Sequence, residues 1–101
     1  KEIEDTVYAM QGVKECAVIP VADTKWGQVP ALFVAFDDID ALGADLKMIV
    51  RDYISSKLAK YKVPKYITIM DALPRNGTGK IMRKSLASHL DMTASNGGSH
   101  E

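Results

Sequence analysis

Ala31-Leu32-Phe33-Val34-Ala35-Phe36 is a run of six apolar residues with no polar interruption. A strand with one wet face alternates between apolar and polar residues, and this run does not. It predicts a short strand covered on both faces, at the centre of the fold. Working outward toward the N-terminus, Cys16 to Val21 reads as a second short apolar strand containing Val18, Ile19 and Val21. The polar loop Asp23-Thr24-Lys25-Trp26-Gly27, with the only tryptophan, separates the two. Before them Lys1-Glu2-Ile3-Glu4-Asp5 opens a helical pattern with Ile3, Val7 and Met10 on one face. Its acidic first turn suits the helix dipole, and Gly12 is its stop signal. Toward the C-terminus, Asp37-Asp38 break the run, and Asp45 is placed to cap a helix reaching about Leu58. Leu46, Ile49, Val50, Tyr53, Ile54 and Leu58 form its apolar stripe. Lys60-Tyr61-Lys62-Val63-Pro64-Lys65 is a basic connector in which Pro64 prevents the helix from continuing. Tyr66 to Met70 predicts a third strand, residues 71–79 a loop, and Lys80 to Leu90 a last helix with Met82, Leu86 and Leu90 facing inward. The order α-β-β-α-β-α predicts a small α+β domain, a short central sheet flanked by about three helices. The domain is expected to span residues 1–91, with 92–101 a disordered tail.

The 101 residues are enough for one domain and no more. An apolar share of 47% and a charged share of 26% exclude wholesale disorder, collagen and a disulfide scaffold. No stretch approaches the roughly 20 apolar residues of a membrane span. A formal net charge of zero argues against a nucleic-acid binder carried by bulk charge. Cys16 is the single cysteine, so it forms no internal bridge, and the N-terminus does not read as a signal peptide. The expected compartment is cytoplasmic. His89 and His100 stand apart from any Cys, Asp or Glu at ligand spacing, so no metal site is expected.

The zero is an average of unequal segments. Residues 1–56 hold five basic and ten acidic residues, a net of −5. Residues 57–84 hold Lys57, Lys60, Lys62, Lys65, Arg75, Lys80, Arg83 and Lys84 against Asp71, a net of +7. A fold that keeps this segment together is expected to carry a positive region, either a solvated basic face or a site for an anionic ligand. The acidic half is expected to be mostly scaffold.

Leu73-Pro74-Arg75-Asn76-Gly77-Thr78-Gly79-Lys80-Ile81-Met82-Arg83 concentrates the chemical signal. Gly77 and Gly79 permit backbone conformations closed to other residues. If a helix starts at Lys80, its free N–H groups favour an anion, and the lysine stands at the wrong end of the dipole for a structural role. The segment is not a Walker A loop, because Pro74 and Ile81 stand where that pattern needs Gly and Ser or Thr. Two readings remain open on loop chemistry: a Gly-rich turn followed by a surface lysine, or a site for phosphate or carboxylate.

The stretch Pro74 to Arg83 resembles the C-terminal signature of the adenylate-forming enzymes, the superfamily of acyl-CoA synthetases, peptide-synthetase adenylation domains and firefly luciferase. Three further segments agree in order and spacing. Glu2-Ile3-Glu4 resembles the start of the first helix of the family's C-terminal domain. Asp23-Thr24-Lys25-Trp26-Gly27-Gln28 resembles its D-x-x-W-G-E segment, with Gln for Glu, and Leu58 to Pro64 its L-x-x-Y-K-x-P segment. Tyr61-Lys62-Val63-Pro64 and Thr78-Gly79-Lys80-Ile81-Met82-Arg83 are most similar to acyl-CoA synthetases.

The resemblance implies a lid domain that works in two steps with a large N-terminal domain. A carboxylic acid substrate attacks the α-phosphate of ATP, with Mg²⁺ held by ATP and the N-terminal domain, and the thiol of coenzyme A then displaces AMP. It implies that Lys80 is the adenylation lysine and that Arg75, Gly77, Thr78 and Gly79 form its loop. Arg75 either touches phosphate or sits at the rim, and Arg83 and Lys84 read as surface charges. Trp26 is implied as a contact to coenzyme A, against a packing tryptophan. Tyr61, Lys62 and Lys65 suit the anionic, aromatic parts of coenzyme A, against a solvated surface. The family's hinge residue and a glycine loop belong to the segment before Lys1, so the chain reads as a fragment, inactive alone and weak in binding ATP or coenzyme A. Two alternatives stand beside this reading: the lid of an adenylation domain that loads a carrier protein, and a stand-alone module for a nucleotide or anion.

Overall fold

The computed structural model describes residues 2–37 and 46–90. Helix α1 (Glu2–Tyr8) leads into strand β1 (Val13–Asp23), which turns into β2 (Gly27–Phe36). Helix α2 (Leu46–Lys57) and a 3₁₀ turn (Lys60–Lys62) carry the chain to β3 (Tyr66–Met70). A short helix α3 (Arg83–Leu86) passes directly into a 3₁₀ turn (Ala87–His89). The order α-β-β-α-β-α is the expected one. The expected cap Asp45, the breaker Asp38 and the tail 92–101 lie outside the described residues.

The three strands form one sheet in the order β1-β2-β3. β1 and β2 are antiparallel, with Ala17 opposite Phe33 and Pro20 opposite Pro30. β2 and β3 are parallel, from Ala31 opposite Tyr66 to Ala35 opposite Met70. A parallel pair needs a crossover, which α2 supplies. The central position of β2 explains its sequence, because residues 31–36 are buried without exception. Leu32, Val34 and Phe36 point to one face, where they join Cys16, Ile67, Val7 from α1, and Leu46, Val50 and Ile54 from α2. Ala31 and Phe33 point to the other, where they meet Ala17, Ile19, Leu73 and Leu86. Each fully buried Phe, Leu or Ile contributes about 1.5–3 kcal/mol relative to exposure.

Several boundaries differ from expectation. β1 and β2 extend well past their apolar runs and through Pro20 and Pro30. β3 pairs with β2 only from Ala31 onward, so the missing N–H of Pro30 costs that ladder nothing. α1 stops at Tyr8, and Gly12 instead supplies a left-handed residue (φ 90°) at the entry to β1. Ile49, expected in the stripe of α2, is 41% exposed, and Met82 is exposed rather than inward-facing. The last helix begins at Arg83, not Lys80, for a reason that lies in the preceding loop.

Cys16 is a packing residue. Burial pushes its thiol up to about 12, with the charge of Glu4 adding to the effect. β1 is an edge strand, and its backbone at Val18 is closed by side chains. The Val18 N–H donates to Glu4 Oε2 at 2.7 Å, and Arg83 Nη1 donates to the Val18 carbonyl at 2.9 Å. Arg83 also pairs with Glu4 at 3.0 Å. A blocked edge resists pairing with other chains.

Candidate functional site

Residues 73–82 form a small hairpin rather than a helix start. Arg75 and Ile81 bridge antiparallel, and the Met82 N–H donates to the Pro74 carbonyl at 2.8 Å. At the tip, the Asn76 N–H donates to the Lys80 carbonyl at 2.9 Å, and the Gly79 N–H to the Asn76 carbonyl at 3.0 Å. Asn76 Oδ1 accepts three bonds, from the Thr78 N–H at 2.9 Å, the Thr78 hydroxyl at 2.7 Å and the Lys80 N–H at 3.1 Å. An Asn side chain that satisfies backbone donors this way competes with helix formation, so Lys80 to Met82 do not wind. The expectation of a helix N-terminal anion site at Lys80 is therefore corrected: its own N–H is already taken. Gly79 sits at φ 88°, a conformation that strains any residue with a Cβ. Gly77 has no such φ and open space around it, so the turn needs a glycine at Gly79 and not at Gly77.

A buried carboxylate on β1 supports this hairpin. Glu15 Oε2 accepts the Leu73 N–H at 2.8 Å, and Oε1 is paired with Arg75 Nη2. Arg75 Nη1 reaches on to the Gly79 carbonyl at 2.5 Å. Burial raises the Glu15 pKa, but the bonds from Leu73 and Arg75 outweigh it and hold the carboxyl below its usual value. Arg75 is thus committed to Glu15 and the loop. Residues 75–80 are all exposed, and the Lys80 ammonium has no side-chain or carbonyl partner among the described residues.

The second constellation lies at the far end of β1. Asp23 Oδ1 accepts the N–H groups of Lys25 at 2.8 Å and Trp26 at 3.0 Å, and Oδ2 takes the Lys65 ammonium at 2.6 Å. The Lys65 bond first, and then the two N–H groups, lower the Asp23 pKa to about 2. The same pair raises the Lys65 pKa. Gly27 (φ 81°) completes the turn. Trp26 is 67% exposed and Tyr61 83% exposed, so neither is a core residue. A groove of about 360 Å³ is lined by Trp26, Val29, Pro30, Lys60, Tyr61, Val63 and Lys65. Of the four residues expected here, Trp26, Tyr61 and Lys65 come together. Lys62 does not line the groove; it turns to Glu2 at 2.6 Å, a bond that raises its pKa.

Glu15 and Asp23 anchor the two constellations and stand eight residues apart on one extended strand, about 26 Å at the usual rise per residue. The charge segregation also resolves. Lys62, Lys65, Arg75 and Arg83 pair with Glu2, Asp23, Glu15 and Glu4 respectively. The acidic half of the chain is therefore counter-charge as well as scaffold. The ammoniums of Lys57, Lys60, Lys80 and Lys84 have no ion-pair partner among the described residues. Asn76, Glu15 and Lys60 are the site residues that motif reading missed. An Asn three residues before a glycine and four before a lysine is a turn signal that pattern alone supplies. The long-range partner of Arg75 has no local signal at all.

Residues 2–80 match the family model described as the AMP-binding enzyme C-terminal domain. The chain is 49% identical over 86 residues to a 2-succinylbenzoate–CoA ligase of Lactococcus lactis, covering 85% of this chain and 18% of that enzyme. A Mycobacterium tuberculosis fatty acyl-CoA synthetase superposes with a TM-score of 0.72 at 34% identity, over 97% of this chain and 18% of that one. An o-succinylbenzoate-CoA synthetase of Bacillus subtilis, solved with its acyl-adenylate intermediate, superposes with a TM-score of 0.67 at 33% identity, over 84% of this chain and 16% of that one. The chain thus spans less than a fifth of the length of these relatives.

Proposed function

Because the chain belongs to the family of AMP-binding enzyme C-terminal domains, we propose that it is the lid of an AMP-forming acyl-CoA synthetase. In this reading residues 1–91 act with an N-terminal domain of the same enzyme, in the cytoplasm, where ATP and coenzyme A are at hand. A carboxylate oxygen of the acid bonds to the α-phosphorus of ATP and pyrophosphate leaves. The sulfur of coenzyme A then bonds to the acyl carbon and AMP leaves, with the thiol proton released.

The observation that carries the reading is the state of Lys80: an exposed ammonium with no partner among the described residues, on a backbone fixed by Asn76 and Arg75. Such a group suits the negative charge that gathers on the carboxylate and α-phosphate oxygens, because it is already in place when the charge develops. The bonds of Arg75 to Glu15 and to the Gly79 carbonyl support the rim reading of Arg75, which braces the loop, and Gly77, Thr78 and Gly79 shape it. The groove at the other end offers two exposed rings and the ammonium of Lys60, chemistry that fits the adenine and phosphates of coenzyme A. In this reading Mg²⁺ is held by ATP and the N-terminal domain.

The test is pyrophosphate release by the full-length enzyme. Lys80→Ala is expected to lower it by about 10²–10³-fold, the usual effect of removing one preorganised charge partner. Release at the wild-type rate would exclude the assignment.

A further inference from the structure

The peptide bond that precedes Lys80 is held from both sides. Its carbonyl, on Gly79, accepts from Arg75, and its N–H, on Lys80, donates to Asn76. The next carbonyl, that of Lys80, accepts from Asn76 as well. A lysine side chain has four rotatable carbons, so the backbone is the only rigid part of its mounting. Arg75 is itself an exposed, flexible side chain, and it holds its position through Glu15, 60 residues earlier. Glu15 is buried, lies outside the signature loop in sequence and touches that loop only through Leu73 and Arg75 among the contacts described.

On the reading of Lys80 proposed above, we infer that Glu15 is a positioning residue for adenylation. It orients the Arg75 fork, which fixes the Gly79–Lys80 peptide and so the direction in which the ammonium leaves the loop. Its two oxygens do separate things: one ties the loop's start at Leu73, the other aims Arg75. A planar guanidinium serves both Glu15 and the Gly79 carbonyl at once, which an ammonium does not. Gln in place of Glu15 keeps the size of the side chain, loses the charge and turns an N–H₂ toward one of two donors.

The experiment uses the full-length enzyme and measures two half-reactions: pyrophosphate release from ATP and acid, and thioester formation from supplied acyl-adenylate and coenzyme A. Glu15→Gln and Arg75→Gln are each expected to lower kcat for pyrophosphate release by about ten- to a hundredfold, the scale of an ångström's misplacement. The KM for ATP and the thioester rate are expected to stay within about twofold. The double variant is expected to lose no more than the worse single one, since both act through one contact chain. Equal losses in both half-reactions, or wild-type pyrophosphate release in both variants, would overturn the inference. If Glu15→Gln fails to fold, Arg75→Gln, at an exposed position, decides the matter alone. Lys80→Ala run in parallel separates the two claims. Should it release pyrophosphate normally, the reading of Lys80 falls; should it fail while Glu15→Gln and Arg75→Gln do not, only the positioning role falls.

Discussion

Asp23 binds three donors with two oxygens, two from the backbone of its own turn and one from a lysine 42 residues away. Its folded-state pKa of about 2 lies below the ordinary 3.8, because the fold stabilises the ionised form. Its contribution to stability is therefore complete above the ordinary value and is lost as the pH falls through about 2. Thermal melts of wild type and Asp23→Asn from neutral pH downward are expected to show a gap in Tm that narrows below about 4 and closes near 2. A gap of constant size at all pH values would show that the ionised carboxylate is not what matters. The turn itself was legible, since Asp followed by Gly four residues later is a local signal. The Lys65, Glu15 and Glu2 partnerships were not: nothing local distinguishes a lysine that meets a carboxylate across the fold from one that faces water. Lys62 and Lys65 stand three residues apart in the same basic connector and point to different partners.

Among the elements, β2 was readable because its environment is uniform: an unbroken apolar run has no side to give to water. Phe33→Ala should cost about 3–5 kcal/mol in denaturant unfolding, by lost transfer energy and the cavity left against Ile19, Leu73 and Leu86. Ile49→Ala, on the exposed side of α2, should fall within about 0.5 kcal/mol of wild type. Similar losses at the two positions would contradict the layering described here. The last helix was misplaced by three residues at its start because a periodic pattern cannot register a side chain that captures backbone donors. Asn76 Oδ1 takes the Lys80 N–H, the bridge from Arg75 to Ile81 keeps the chain extended, and winding starts only once Met82 has passed the hairpin.

At the scale of the whole molecule, one strand carries a carboxylate near each end, and each carboxylate organises one candidate site. A domain so built suits an enzyme whose lid presents one surface for adenylation and another for thioester formation. The four signature segments were legible as motifs because each is local in sequence. The gathering of the Asp23 and Tyr61 segments at one end of β1 and of the Lys80 loop at the other was not, since it depends on contacts distant in sequence. The most direct test of this division is a crossed half-reaction assay on the full-length enzyme, with Lys80→Ala and Trp26→Ala side by side. Lys80→Ala is expected to lose pyrophosphate release while forming thioester from supplied acyl-adenylate, and Trp26→Ala to keep pyrophosphate release while its KM for coenzyme A rises about tenfold, the scale of one lost ring contact. Parallel losses of both half-reactions in both variants would contradict two separate sites on one lid.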